Sequence, residues 1–157
     1  MMSTQALTCE VIDYSVHHTL GIRTHCAQKD LSAVIPQTHQ KIAPYLAALG
    51  RPQTEAFYVA YFNMDMDNLE VEIGFITADQ LPGKDEIASG TMGGGKAVSC
   101  LYVGSYRVLY QAHEAAHQFI AAKGYEHAEA AYEIYLNDPA DTPEAELKTQ
   151  VVVMIKG

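Results

Sequence analysis

Apolar positions along this chain switch between two spacings, and each switch predicts a change of element. From Thr8 to Cys26 the residues Val11, Ile12, Val16, Leu20 and Ile22 sit among polar ones at strand-like intervals. From about Leu31 to Leu49 the spacing lengthens, and Val34, Ile35, Ile42, Tyr45, Leu46 and Leu49 fall on roughly one face of a helix. Pro36 then belongs to its first turn or two, where a missing N–H costs little, and Gly50 supplies the stop. Two strands follow, Ala56 to Asn63 and Leu69 to Thr77, joined by the polar turn Asp65-Met66-Asp67-Asn68. The order then returns: a strand over Lys96 to Val103, a helix over Tyr106 to Lys123 stopped by Gly124, and a strand over Ala130 to Asn137. A turn from Asp138 to Pro143 leads to a last strand, Lys148 to Ile155. Between the halves, Leu81 to Gly95 reads as a connector with a short strand around Ile87.

The returning order is a repeat in the residues themselves. Sliding the chain by 74 positions (113 − 39) aligns His39–Asn63 with His113–Asn137 without a gap and gives nine identities over 25 positions. His39 meets His113, Ala47-Ala48 meets Ala121-Ala122, and Gly50 meets Gly124. Glu55-Ala56 meets Glu129-Ala130, Tyr58 meets Tyr132, Tyr61 meets Tyr135, and Asn63 meets Asn137. The expected fold is therefore α+β, a tandem pseudo-two-fold repeat of a β-α-β-β unit. It has an antiparallel sheet, two main helices and a central ligand cleft. One domain covers 1–157, with repeat 1 at about 8–79 and repeat 2 at about 95–156.

Composition narrows the function classes. With 48% apolar and 18% charged residues, the chain has enough apolar surface to fold and is not a disordered segment. A net charge of −9 repels phosphate backbones, and no stretch gathers enough Lys or Arg to reverse it, so direct nucleic-acid binding is not expected. The same field concentrates cationic ligands. No window approaches a membrane span, and the first ten residues lack a basic start and an apolar run, so the cytoplasm is the expected location. The cysteines Cys9, Cys26 and Cys100 are odd in number and lack CxxC spacing, which argues against a disulfide framework and a cysteine zinc site.

Three motifs offer sharper chemistry than their context supports. His113-Glu114-Ala115-Ala116-His117 spells HExxH, which on a helix would present two imidazoles to zinc, with Glu129 or Glu133 as a third ligand. The same helix must bury Leu109, Ala112, Ala116, Phe119 and Ile120, and His113 repeats as His39 in a copy that could not bind metal, so a structural role is preferred. No metal and no cofactor are expected. Gly90-x4-Gly95-Lys96 falls one residue short of a phosphate-binding loop, since Ala97 stands where Ser or Thr is needed and a strand follows. Asp65-x-Asp67-Asn68 opens like a calcium loop, but Glu70 occupies the glycine position and Ile76 the bidentate glutamate position.

Over nearly its whole length the chain resembles the GyrI-like ligand-binding family, whose fold also serves as the effector domain of multidrug-sensing regulators. The resemblance rests on the Gly104-x-Tyr106 step, Gly124-Tyr125, the strand Tyr132-Glu133-Ile134-Tyr135, the Asp138-Pro139…Pro143 turn and the run Leu147-Lys148-Thr149. Val71 to Thr77 fits the end of the first copy. The resemblance implies a stand-alone binder of lipophilic, cationic small molecules, in which Glu133 is the charged anchor. It also implies an alternative, a small hydrolase using Glu133 with a tyrosine such as Tyr106. No Ser or Cys nucleophile stands beside an obvious base, so the binder reading leads. Neither a homodimer nor a separately encoded protein partner is indicated by any residue, and both stay open.

The repeat singles out Glu133 independently. Its counterpart is Val59, so the second copy supplies a carboxylate where the first has an apolar residue. Strand alternation places Ala131, Glu133 and Tyr135 on one face, as it does Phe57, Val59 and Tyr61. A bound cation would offset the cost of burying that carboxylate, and aromatic faces add roughly 0.5–2 kcal/mol each. The candidate ligand-binding residues are Glu133, Tyr135, Tyr106, Tyr61, Phe57 and Tyr110. Each tyrosine reads equally well as core with its hydroxyl at water.

Overall fold

A computed structural model describes residues 7–51, 56–138 and 140–156, with the side chain of Glu129 left out. Glu55 of the repeat, Pro139 of the family-like turn and Glu129 as a third zinc ligand thus lie outside the described residues. The elements are β1 (Leu7–Tyr14), β2 (His17–Cys26), α1 (Leu31–Ala48), β3 (Phe57–Tyr61), β4 (Leu69–Thr77), β5 (Ala88–Met92), β6 (Gly95–Val103), α2 (Tyr110–Lys123), β7 (Glu126–Tyr135) and β8 (Lys148–Lys156). The α+β architecture of two helices and antiparallel strands is the one the duplicated pattern predicts. No helix among the described residues is long and apolar enough to cross a membrane.

The chain forms two compact units, 16–93 and 1–15 with 94–157. In the first of these, strands run in the order β3-β4-β2-β5, all neighbours antiparallel. Its core joins Leu20, Ile22 and Phe75 of the sheet to Ile42 and Leu46 of α1. In the other, the order is β1-β6-β8-β7, again antiparallel. There Leu109, just before α2, and Ala112, Ala116 and Ile120 of α2 lie on Val98, Cys100 and Tyr102 of β6 and on Val151, Val153 and Ile155 of β8. The unbroken apolar run Val151 to Ile155 is buried throughout, which is why β8 reads as continuous rather than alternating.

The repeated identities do the same work in both units. Gly50 and Gly124 both take the left-handed conformation, φ 73° and 76°, which a Cβ would disfavour. Gly50 N–H donates to Ala47 O and Arg51 N–H to Leu46 O, while Gly124 N–H donates to Ala121 O and Tyr125 N–H to Ile120 O. These bonds satisfy the last carbonyls of each helix. Asn63 and Asn137 form matching clasps. The Asn63 amide donates to Asn68 O and its oxygen accepts from Glu70 N–H; the Asn137 amide donates to Glu146 O and its oxygen accepts from Lys148 N–H. Each clasp sets the start of the next strand.

Several local expectations are corrected. The stretch Thr8 to Cys26 is two strands, and β1 pairs with β6 whereas β2 pairs with β4 and β5. Nothing in its spacing marks the change of partner at Ser15. The connector supplies the edge strand β5 (Ala88–Met92), just past the short strand expected around Ile87; Pro36 does fall in the second turn of α1. Tyr106–Val108 is a 3-10 turn ahead of α2 rather than its first turn. Cys9 and Cys100 stand opposite each other in the β1–β6 ladder, Cα atoms 4.1 Å apart, and are disulfide-bonded, leaving Cys26 free. The odd cysteine count argued against a framework, but a single bridge across 91 residues depends on register, which composition does not carry.

Candidate ligand-binding site

Glu133 lies in β7 opposite Val151 of β8. Its face of the strand is shared with Ala131 and Tyr135, both packed against the α2 core. The residue is only 6% exposed, and both carboxylate oxygens are engaged. His113 Nε2 stands 2.7 Å from Oε2, and the Tyr135 hydroxyl donates to Oε1 at 2.6 Å. A carboxylate accepts charge-assisted hydrogen bonds at such distances, which is how the buried group is tolerated. The imidazole comes from the first turn of α2, which the 3-10 turn Tyr106–Val108 and its Ser105 cap set in place. Ser105 Oγ accepts from Arg107 N–H at 3.1 Å and donates to Glu144 at 2.6 Å, while Tyr102 OH donates to Ser105 O. Gly104, at φ 146°, makes the step into this turn.

Tyr106 completes the cluster. Its ring lies 5.4 Å from that of Tyr135, in a tilted pair. Burial holds its hydroxyl above the ordinary tyrosine range, and the negative charges of Asp138 and Glu133 push the same way. One carboxylate, one imidazole and two phenols are thus gathered on one helix–sheet face. The arrangement can accept a cation at the carboxylate, or hold and pass a proton between carboxylate, imidazole and phenol.

Of the residues expected at the site, Glu133, Tyr135 and Tyr106 come together here. Tyr110 is 57% exposed, and no described contact joins it to Glu133. Phe57 and Tyr61 lie on β3 in the other unit, where Phe57 packs edge-on to Phe75 at 5.0 Å. The repeat points to a structural role for His113 and does not reveal its contact with Glu133, 20 residues away. The available signal was the combination of a repeated histidine with an unrepeated carboxylate. The HExxH motif does not converge on one point: His113 meets Glu133, and His117 Nδ1 meets His127 Nε2 at 3.1 Å.

A family model for the GyrI-like small molecule binding domain matches residues 18–156. The chain belongs to the GyrI-like family. No curated protein matches its sequence. Among solved structures, this GyrI-like chain is similar to EcmrR in its DNA complex, at 16% identity and TM-score 0.72. That match covers 97% of this chain and 57% of the other, so this chain spans just over half of that relative. It is also similar to SAV2435 bound to tetraphenylphosphonium, at 14% identity and TM-score 0.71, covering 96% and 94% of the two chains. A hydrolase from Listeria innocua matches at 14% identity and TM-score 0.64, covering 94% and 91%. At these identities the likeness speaks for the fold.

Proposed function

We propose that this GyrI-like chain binds lipophilic cations, with Glu133 as the charge that selects them and Tyr135 and Tyr106 as aromatic walls. The observation that carries the reading is a carboxylate buried to 6% exposure on an aromatic face. Such a group gains from an incoming positive charge what it lost on leaving water. Tyr106 and Tyr135 add ring faces for a cation to lie against. A similar fold in SAV2435 holds tetraphenylphosphonium, which is consistent with this chemistry. His113 acts as the resident partner of the carboxylate, and an incoming cation competes with it for Oε2.

The test is a titration with tetraphenylphosphonium or a fluorescent rhodamine at pH 7.5, comparing the wild type with Glu133→Gln. The expected result is micromolar or tighter binding, weakened at least about tenfold in the variant, equivalent to ~1.4 kcal/mol. Equal binding by both proteins would remove Glu133 as the anchor.

A second reading is favoured by the Glu133–His113 contact, since a carboxylate that orients an imidazole is also the arrangement of a positioned general base. In that reading the same face hydrolyses its ligand. Mass spectrometry of the incubated ligand separates the two: product formation that Glu133→Gln abolishes supports turnover, and an unchanged ligand supports binding alone.

A further inference from the structure

We propose that His117 and His127 form a two-imidazole surface site for a divalent transition-metal ion, taking Cu(II) most tightly and Zn(II) less so. His117 Nδ1, in the second turn of α2, faces His127 Nε2, near the start of β7, at 3.1 Å. The rings are 4.5 Å apart between centroids and inclined by 31°. Imidazole nitrogens bind such metals at about 2.0–2.1 Å, so two neighbouring ligands with an N–metal–N angle of 90–110° stand about 2.9–3.3 Å apart. The observed separation falls inside that interval.

The backbone supports the approach. Between His127 and Ala131 the β7–β8 register shifts, an irregularity that sets apart the β7 end carrying His127 from the regular ladder carrying Glu133. His127 is exposed and His117 half-buried, so an ion has access from solvent. Two imidazoles leave further coordination positions of such an ion open to water. That ligand set, nitrogen from imidazole with open sites, suits copper, nickel and zinc, and copper leads in affinity.

The proton balance is simple. Without metal, one neutral ring donates an N–H to the other, His127 Nε2 being the donor or the acceptor according to tautomer. With His127 as donor, binding an ion between the two nitrogens moves the His127 proton from Nε2 to Nδ1 through solvent, and no net proton is lost. The charged form of His117 is already disfavoured by burial and by His127 and His113, so the ring is available as a ligand. The site is separate from the Glu133 cluster, because His113 Nε2 is turned to Glu133.

The experiment is a Cu²⁺ titration of the whole chain, read by electron paramagnetic resonance and by calorimetry with Zn²⁺. We expect one tight Cu²⁺ per chain with hyperfine structure from two equatorial nitrogens. His117→Gln and His127→Gln should each weaken it at least about fivefold, and the double variant should lose little more. His25→Gln, at an exposed histidine elsewhere, should leave it unchanged. Losses below about fivefold, or hyperfine structure from one nitrogen, overturn the site. Because variants can unfold, the wild type also serves: sub-stoichiometric Cu²⁺ should broaden the His117 and His127 imidazole NMR signals first. Broadening that begins at any other histidine overturns it. Tetraphenylphosphonium binding plays no part in these readouts, so either proposal can fail alone.

Discussion

The two helix–sheet faces of this protein are built to one plan and filled with opposite chemistry. In the unit containing α1, His39 stands over Phe57 and Phe75, 5.2 Å from each ring, and the strand position between Phe57 and Tyr61 is Val59, wholly buried. In the unit containing α2, the aligned His113 stands over the aligned Glu133 and holds its carboxylate. One histidine at one place in the fold thus serves as an aromatic plate in one copy and as a polar partner in the other. On this strand face the copies differ at two positions, Phe57 against Ala131 and Val59 against Glu133. A duplicated scaffold can keep one copy as packing while the other acquires a charge.

The opposite sheet face shows a parallel divergence. Tyr58 lies in register with Gly74, which faces Gly21, and its hydroxyl donates to Glu72. A Cβ on Gly21 would come within 2.7 Å of that hydroxyl, so the glycine makes room for the ring. The aligned Tyr132 meets Val152 and Ser99 in the same row and pairs instead with Tyr14, ring centres 6.1 Å apart. Bulk in the row decides where the tyrosine ring can go.

The sharpest way to break the comparison is to move the charge. Val59→Glu places a carboxylate at a wholly buried position and should cost at least about 3 kcal/mol in urea unfolding. A cost below about 1 kcal/mol would mean that His39 can do what His113 does, and that the units are less distinct than described. The reverse substitution, Glu133→Val, strips His113 and Tyr135 of their acceptor and should cost about 1–3 kcal/mol. Adding His113→Leu should return at least half of that loss, since the imidazole that lost its carboxylate is removed as well. Strict additivity in this cycle would show that the imidazole and carboxylate are not coupled.

The smallest effect concerns Tyr14. Burial, with a further contribution from Tyr132, pushes its hydroxyl up to about 12. The unfolded chain releases that proton from about pH 10, while the folded protein keeps it. The folded state therefore binds more protons in this window, and stability falls as pH rises from about 10 to 12. Tyr14→Phe should flatten that part of the stability profile. An unchanged slope would place the alkaline loss elsewhere.

What could be read from the residues alone was local or self-referential. The helices were legible because their apolar faces and the glycines Gly50 and Gly124 act within a few turns. Glu133 was legible because the chain offers its own control, Val59. Its contact with Tyr135 follows from two positions on one face of one strand. Other features were decided only when distant strands met. His113 reaches Glu133 because α2 folds back over β7, and β1 leaves the stretch it begins to pair with β6. Cys9 meets Cys100 because that pairing takes one register rather than its neighbours. Spacing along a chain reports which side of an element a residue occupies, because that is set by backbone geometry over a few residues. Which element then lies against that side is set by the packing of the whole unit, where every strand competes for the same partners.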